Sequence, residues 1–317
     1  MVMSVREILA VGGLVAVAVS GFWLARQRET DDAKVHCMVF KANEMAWIPG
    51  GEFAMGSNDF YQEERPVRTV KVDGFWIDRH ELTNREFAKF VSATGYVTDA
   101  ERLPPPVDGA PDELEPGSAV FAPVTEGSPA EWHWVKGANW RHPDGPGSSA
   151  GNRNDEPVVQ LSLADVRAYA NWVGKDLPTE TQWEFAARGG LDGKAYAWGD
   201  TRDPNGRYMA NYYQGVFPVR DTGSDGHAGR APIGCYPPNR FGLYDMIGNV
   251  WEWTASSPLK NDPVQADGRR AVVRGGSFLC SQDYCQRYRP AARQFQEMDL
   301  GTNHIGVRFV RNRPRLP

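Results

Sequence analysis

Residues 274–293 read RGGSFLCSQDYCQRYRPAAR, and residues 241–254 ahead of them read FGLYDMIGNVWEWT. Glycine and proline interrupt both stretches and break regular elements, while aromatic side chains stand ready to fill the spaces between turns. From residue 190 onward the chain reads as loops, with short strands at AVVRGGSF (271–278) and IGVRFVR (305–311). Moving toward the amino end, regular helices come into view. Thr179 with Gln182 forms a capping box that opens a helix closed at Gly189-Gly190. Ser162 with Asp165 opens another, with Val166, Tyr169, Ala170 and Val173 facing inward and Gly174 as its stop. Thr83 with Glu86 opens a third, with Phe87, Phe90 and Val91 on one face and Gly95 at its end. AWIPGGEFAMGS (46–57) reads as strand, turn, strand, and residues 67–78 as one half-buried strand. Residues 101–156, rich in Pro, Gly and Asp with scattered Trp, read as a long irregular excursion.

The chain has 317 residues, with 35 basic and 40 acidic side chains for a net charge of −5, and hydrophobic residues make up 41%. Such a balance supports a globular body with a sizeable core and excludes disordered and collagen-like chains. No basic excess exists to neutralise phosphates, which argues against nucleic acid as a partner. The length alone allows two domains at about 100–200 residues each, yet no linker, repeat or low-complexity block appears between residues 45 and 312. One domain over residues 45–317 is expected, preceded by a linker at 26–44. The uncharged stretch from Ile8 to Ala25, flanked by Arg6, Arg26 and Arg28, reads as a membrane anchor. A secretory signal cut after Ala18 is the rival reading. Counting basic flanks leans weakly toward a cytoplasmic body.

No nucleophile elbow, Walker loop, Rossmann fingerprint or zinc-protease helix is present. The six histidines, at 36, 80, 133, 142, 227 and 304, are scattered and read as surface or satisfied interior residues. Four cysteines are too few for a disulfide scaffold in so long a chain. Cys37 and Cys235 read most simply as small buried or free thiols, with a bridge between them left open. Cys280 and Cys285 lie among Arg274, Arg287, Arg289 and Arg293, and positive neighbours favour the thiolate. They fit a structural disulfide or a two-thiolate site for a soft, low-coordinate metal such as Cu(I). Zinc fits poorly, because no nearby His or second cysteine pair completes a set. Asp245 and Glu252, with backbone carbonyls between them, form a candidate oxygen cage for Ca²⁺, and Asn211 with Asp225 forms another. Ordinary polar turns remain the plainer reading of both.

The runs IPGGEFAMGS, RPVRTVKVDGFWIDRHELTNREFAKFV, LPTETQWEFAARGG, YAWGD, ANYYQGVFPV, FGLYDMIGNVWEWT, RGGSFLCSQDYCQRYRPAAR and IGVRFVR occur in that order over roughly residues 45–312. Together they resemble the formylglycine-generating enzyme (sulfatase-modifying factor) family, of bacterial type. The paired cysteines in R-G-G-S-x-x-C-x-x-x-Y-C are its more specific mark. The resemblance implies an α+β (mixed), loop-rich sulfatase-modifying-factor fold, distantly C-type-lectin-like. It implies copper- and O₂-dependent oxidation of a cysteine, in Cys-x-Pro-x-Arg sequences of unfolded sulfatase polypeptides, to Cα-formylglycine. Cys280 and Cys285 would be the catalytic, Cu(I)-binding thiolates, and Trp251, Ser277 and Tyr284 would line the substrate and O₂ pocket. Structural Ca²⁺ would be held by Asn211, Tyr212, Asp225 and His227, and by Asp245, Gly248, Val250 and Glu252, with Tyr212, His227, Gly248 and Val250 contributing backbone oxygens. A monomer is expected.

Four positions depart from the family pattern. Ser281 stands where well-known members have histidine, Asp245 where asparagine is usual, and His304 where asparagine is common. Pro290 occupies the place of a disulfide cysteine in animal relatives. Two rival readings remain within the same superfamily: a non-catalytic, membrane-anchored scaffold with Cys280–Cys285 as an inert disulfide, and the iron-dependent sulfoxide synthase branch. The latter carries an additional helical domain supplying histidines, for which the stretch before residue 45 leaves no room. A sulfatase oxidised after export must meet its enzyme outside the cytosol, so the exported orientation is expected despite the flanking charges.

Overall fold

Three capping boxes build the helices where the sequence places them. In the first, the Thr83 hydroxyl accepts the Glu86 N–H at 3.3 Å and the Glu86 carboxylate accepts the Thr83 N–H at 3.1 Å, opening α1 (Asn84–Thr94). Ser162 with Asp165 does the same for α2 (Leu163–Val173), and Thr179 with Gln182 for α3 (Glu180–Arg188). Each helix ends on a glycine in the left-handed conformation, at Gly95, Gly174 and Gly189. A cap of this kind contributes about 1 kcal/mol, and burial supplies most of the rest. Phe87 and Phe90 of α1 pack against Tyr169 of α2, and Trp183, Ala186 and Ala187 of α3 are buried in the core.

This computed structural model describes residues 37–41, 44–104, 115–122, 124, 130–260, 262 and 268–312. They fall in one compact unit, Cys37–Pro317. The apolar segment at residues 8–25 lies outside the described residues, and among those described no helix is long and apolar enough to cross a membrane.

Among the described residues the strands are short and distributed over five small sheets. Strand β1 (Met45–Ile48) pairs antiparallel with β4 (Phe75–Asp78), while β2 (Gly51–Met55) pairs with β3 (Arg68–Val72). The single strand expected over residues 67–78 is therefore two, broken at Asp73-Gly74. Gly74 lies against the Trp47 indole, where a Cβ would sit 2.5 Å from the ring, so the chain turns there and its two halves join different sheets. The excursion at 101–156 is also less irregular than expected. It contains a hairpin of β5 (Gly117–Ala122) and β6 (Glu131–Lys136), in which Phe121 pairs with Trp132. A two-stranded ribbon, β7 (Gly215–Val216) with β8 (Arg220–Asp221), follows later in the chain. The central sheet has the order β11-β10-β9-β12, from β9 (Trp251–Trp253), β10 (Arg270–Arg274), β11 (Arg293–Glu297) and β12 (Ile305–Gly306). The last run, IGVRFVR, splits between β12 and β13 (Val310–Asn312), and β13 closes the β1-β4 sheet. Mixed helices and small sheets make this an α+β fold.

Buried ion pairs tie these pieces together. Arg274, at the end of β10, reaches Glu184 on α3 and the Pro290 carbonyl at 2.7 Å. Arg293 bonds Glu180 and Asp262, Arg289 pairs with Glu64, and Arg308 clamps Glu252. Cys37 and Cys235 are bridged rather than free thiols. The two lie 198 residues apart, and no sequence spacing signals a pair at that distance.

Candidate active site

Immediately after β10 the chain turns at Gly275 and Gly276, with φ of 99° and 77°. A Cβ on Gly276 would lie 2.7 Å from the Tyr288 nitrogen, so only glycine lets this turn cross over the returning segment at 287–288. Two tight turns follow. The Cys280 N–H donates to the Ser277 carbonyl at 2.9 Å, and the Cys285 N–H donates to the Ser281 carbonyl at 3.1 Å. They bring the two sulfurs to 2.9 Å while leaving them unbonded, so the structure does not contain the disulfide, one of the two readings of this pair. Ser281, the departure beside the first cysteine, is buried, and its hydroxyl accepts the Tyr284 N–H at 3.1 Å, which braces the turn between the thiols.

The thiols are not equivalent. Cys280 is buried, and burial together with its charged neighbour pushes its thiol well above the ordinary range. Cys285 is half-buried, and its thiol falls to about 6 through the hydrogen bond from Cys280, with the Arg287 guanidinium adding to the effect. Arg287 lies 3.9 Å from the Cys285 sulfur and is held there by Glu63, at 2.7 Å, and by the face of Tyr61. Of the four arginines that crowd this sequence, Arg274, Arg289 and Arg293 are instead committed to buried carboxylates. The first proton to leave belongs to the pair, and the resulting charge rests on Cys285, the less buried of the two.

That space is a cavity of about 590 Å³. Cys280, Cys285, Trp251, Ser277 and Tyr284 all line it, so the structure brings together the five residues expected at one pocket. It adds an aromatic wall that the sequence did not single out. Phe121 and Trp132 come from the β5–β6 hairpin, Phe217 follows β7, and Phe295 lies on β11. The rings continue into one another: Tyr284 stacks on Phe217 at 4.6 Å, and Phe217 stacks on Phe121 at 5.6 Å. His304 completes the wall against Trp132, with its Nδ1 2.7 Å from the Thr302 hydroxyl. Burial, followed by the nearby Arg230 charge, holds its pKa down to about 3, so the imidazole is neutral. The cavity also takes Glu63, Arg287, Arg293 and Gln294 into its lining, so the two thiols lie between an aromatic wall and charged side chains; thiolates are soft donors, of the kind that soft, low-coordinate metals take.

The two oxygen sets differ. Around the first, Asp225 is buried, which raises its pKa, and its Oδ2 accepts the Gln214 amide N–H at 2.7 Å. The Tyr212 carbonyl accepts from the same nitrogen, so two of the expected ligands converge on one point. The Asn211 amide N–H groups are spent on the Gly229 carbonyl and on Asn249. In the second set, Glu252 is already satisfied. Its two oxygens accept from Arg308 Nε and Nη2 at 2.7–2.9 Å and from the Trp183 indole at 2.7 Å. Asp245 accepts the Gly234 N–H at 2.6 Å, and burial raises its pKa to about 6. Glu252 is therefore engaged by the Arg308 guanidinium, while Asp245 and the buried Glu81 beside it share that one positive charge. Gly248 and Val250 of this set remain backbone positions in the turn leading into β9.

The sequence profile described as "Sulfatase-modifying factor enzyme 1-like domain" matches residues 31–313. The chain is 47% identical over 295 residues to the formylglycine-generating enzyme of Mycobacterium tuberculosis, covering 84% of this chain and 97% of that protein. Against the formylglycine-generating enzyme of Thermomonospora curvata it is 48% identical over 284 residues, covering 84% and 93%. It is also 40% identical over 281 residues to a Bos taurus protein named inactive C-alpha-formylglycine-generating enzyme 2, covering 86% and 89%. Among solved structures, PvdO of Pseudomonas aeruginosa superposes with a TM-score of 0.58 at 24% identity, over 87% of this chain and 98% of that one, which is a likeness of fold. With the profile and relatives spanning nearly all of the described body, the chain belongs to the sulfatase-modifying factor family of formylglycine-generating enzymes and their kin.

Proposed function

We propose that this protein oxidises a cysteine side chain of a sulfatase polypeptide, within a Cys-x-Pro-x-Arg sequence, to Cα-formylglycine, with O₂ as oxidant and Cu(I) held by Cys280 and Cys285. The observation that carries the reading is the pair of unbonded sulfurs 2.9 Å apart at an aromatic-walled cavity. Relatives named as formylglycine-generating enzymes support the substrate class. Because a relative of similar identity is named inactive, overall identity does not decide activity, and the site chemistry must.

The donor set fits copper: two thiols, one already biased toward thiolate, with no hard oxygen ligand between them. When bound, Cu(I) supplies the one-electron chemistry with O₂ that protein side chains lack. The chain's own residues prepare the site. Cys280 donates its proton toward Cys285, Arg287 holds negative charge on that sulfur, and Glu63 fixes the arginine. Trp251 and the Phe121–Phe217–Tyr284 rings keep the cavity apolar on one side and give an extended peptide a surface to lie against. Turning a –CH₂SH group into an aldehyde releases the sulfur as sulfide and takes two electrons from the substrate. Four-electron reduction of O₂ then draws the other two from an added reductant.

Structural calcium is proposed at the first oxygen set alone, where Asp225 and the Tyr212 carbonyl converge on the Gln214 amide nitrogen and the Asn211 amide nitrogen is spent on Gly229 and Asn249. At the second set Glu252 is taken up by Arg308, and no ion is assigned to it. The body is placed on the exported side of a membrane, with residues 8–25 as anchor or signal. A disulfide between Cys37 and Cys235 supports this, since such bonds persist in oxidising compartments.

The test is to incubate the full-length protein with a Cys-x-Pro-x-Arg peptide, Cu(I), air and a thiol reductant, and to follow aldehyde by mass spectrometry. Conversion of that peptide, and none of its Cys→Ser counterpart, is expected. Copper uptake without conversion of any cysteine peptide would favour the binding scaffold.

A further inference from the structure

A second cluster of metal-ligating side chains lies apart from the cavity. The Cys37 and Cys235 sulfurs and a ring nitrogen of His227 all lie within 4.8 Å of one another. The sulfurs are bonded to each other in this structure. The imidazole is a separate observation. His227 Nε2 is buried yet has no hydrogen-bond partner among the described residues. A buried polar atom without a partner costs about 1–3 kcal/mol, and the imidazole that carries it brings a ring nitrogen beside the two sulfurs. The calcium ligand set uses only the backbone oxygen of His227, so its side chain has no role in the proposed oxidation. All three residues are only partly buried, which leaves reductant and ion a way in.

We infer that Cys37, Cys235 and His227 form a redox-gated metal site: bridged when oxidised, and when reduced a two-thiolate, one-imidazole site for a borderline dication of the Zn²⁺ class. Reduction by a thiol or phosphine adds two electrons and two protons to the disulfide and yields two thiols. Binding of the dication then releases both protons and leaves two thiolates and one imidazole as protein ligands. Zinc takes this donor set with water as its fourth ligand. The site has a structural consequence. Residues 37–41 are held to the body by the bridge, by the Met38 N–H on the Gly234 carbonyl at 3.0 Å, and by Phe40 against His80 and Tyr244. An ion bound at the same place would keep this segment fastened after the covalent bond is lost.

The experiment uses the full chain carrying Cys280→Ser and Cys285→Ser, so that any thiolate signal comes from the other pair. After reduction with a phosphine under argon, Co²⁺ is titrated in as a spectroscopic probe and then displaced with Zn²⁺. The expected result is one Co²⁺ per chain, with a sulfur-to-cobalt charge-transfer band and tetrahedral ligand-field intensity, both bleached by Zn²⁺. Losing even an outer-shell partner costs roughly 10–100-fold in metal affinity, so His227→Gln is expected to weaken Co²⁺ by about a hundredfold. His227→Gln retains the bridge, so its oxidised form reports whether the fold survives the change. No thiolate band in the reduced protein, or unchanged affinity in a folded His227→Gln variant, would overturn the inference.

Discussion

At Cys285, one hydrogen bond and one guanidinium decide the chemistry. Because the thiolate is the reactive form, iodoacetamide is expected to label Cys285 at a rate that rises through about pH 6. Cys280, whose pKa is raised, stays unlabelled well beyond that range. Peptide mapping across pH reads both sites. Arg287→Gln removes a nearby positive charge, so it moves the Cys285 midpoint upward, and an unmoved midpoint would show that the arginine does not act on this sulfur. The sequence displayed both thiols and four arginines, but linear crowding is not spatial contact. Three of those arginines had buried carboxylate partners far along the chain, at Glu64, Glu180 and Glu184, which no local spacing reveals. One such pair sets a stability prediction. Glu64→Gln leaves the Arg289 charge buried without its partner and is expected to cost about 3–5 kcal/mol in urea unfolding.

Between elements, what was legible depended on whether the signal was local. Capping boxes at Thr83, Ser162 and Thr179 are written within four residues, and all three helices follow them. The break at Asp73-Gly74 was not legible, because it answers to Trp47 on another strand. Nor was the β5–β6 hairpin, whose pairing of Phe121 with Trp132 is hidden among turn-forming residues, and with it went half of the aromatic wall. The Glu252–Arg308 clamp joins β9 to the segment between β12 and β13. If that guanidinium is the true partner, Glu252→Ala destabilises the protein by about 3–5 kcal/mol equally in Ca²⁺ and in EDTA. A loss seen only in Ca²⁺ would restore Glu252 as a calcium ligand. Asp225→Asn should behave the opposite way, lowering the melting temperature in Ca²⁺ and changing little in EDTA.

Across the whole molecule, the Cys37–Cys235 bridge fastens the first described residues to the body. A disulfide typically contributes about 2–4 kcal/mol, so Cys235→Ser is expected to lower stability by at least about 2–4 kcal/mol relative to the oxidised parent. Guanidinium titration of the two proteins measures the difference. The same small sheets converge on one cavity, with β10 and β11 delivering the thiol loop, β9 delivering Trp251, and the hairpin and ribbon delivering the rings. That convergence makes the cysteine pair the centre of the account. Its most direct test is the rate of aldehyde formation in a Cys-x-Pro-x-Arg peptide as Cu(I) is titrated into the full-length protein, its Cys280→Ser variant and its Cys285→Ser variant. The account predicts a rate that rises to a plateau at a single Cu(I) per chain and is lost in either variant. Aldehyde formed without copper, or at an undiminished rate in either serine variant, would contradict it.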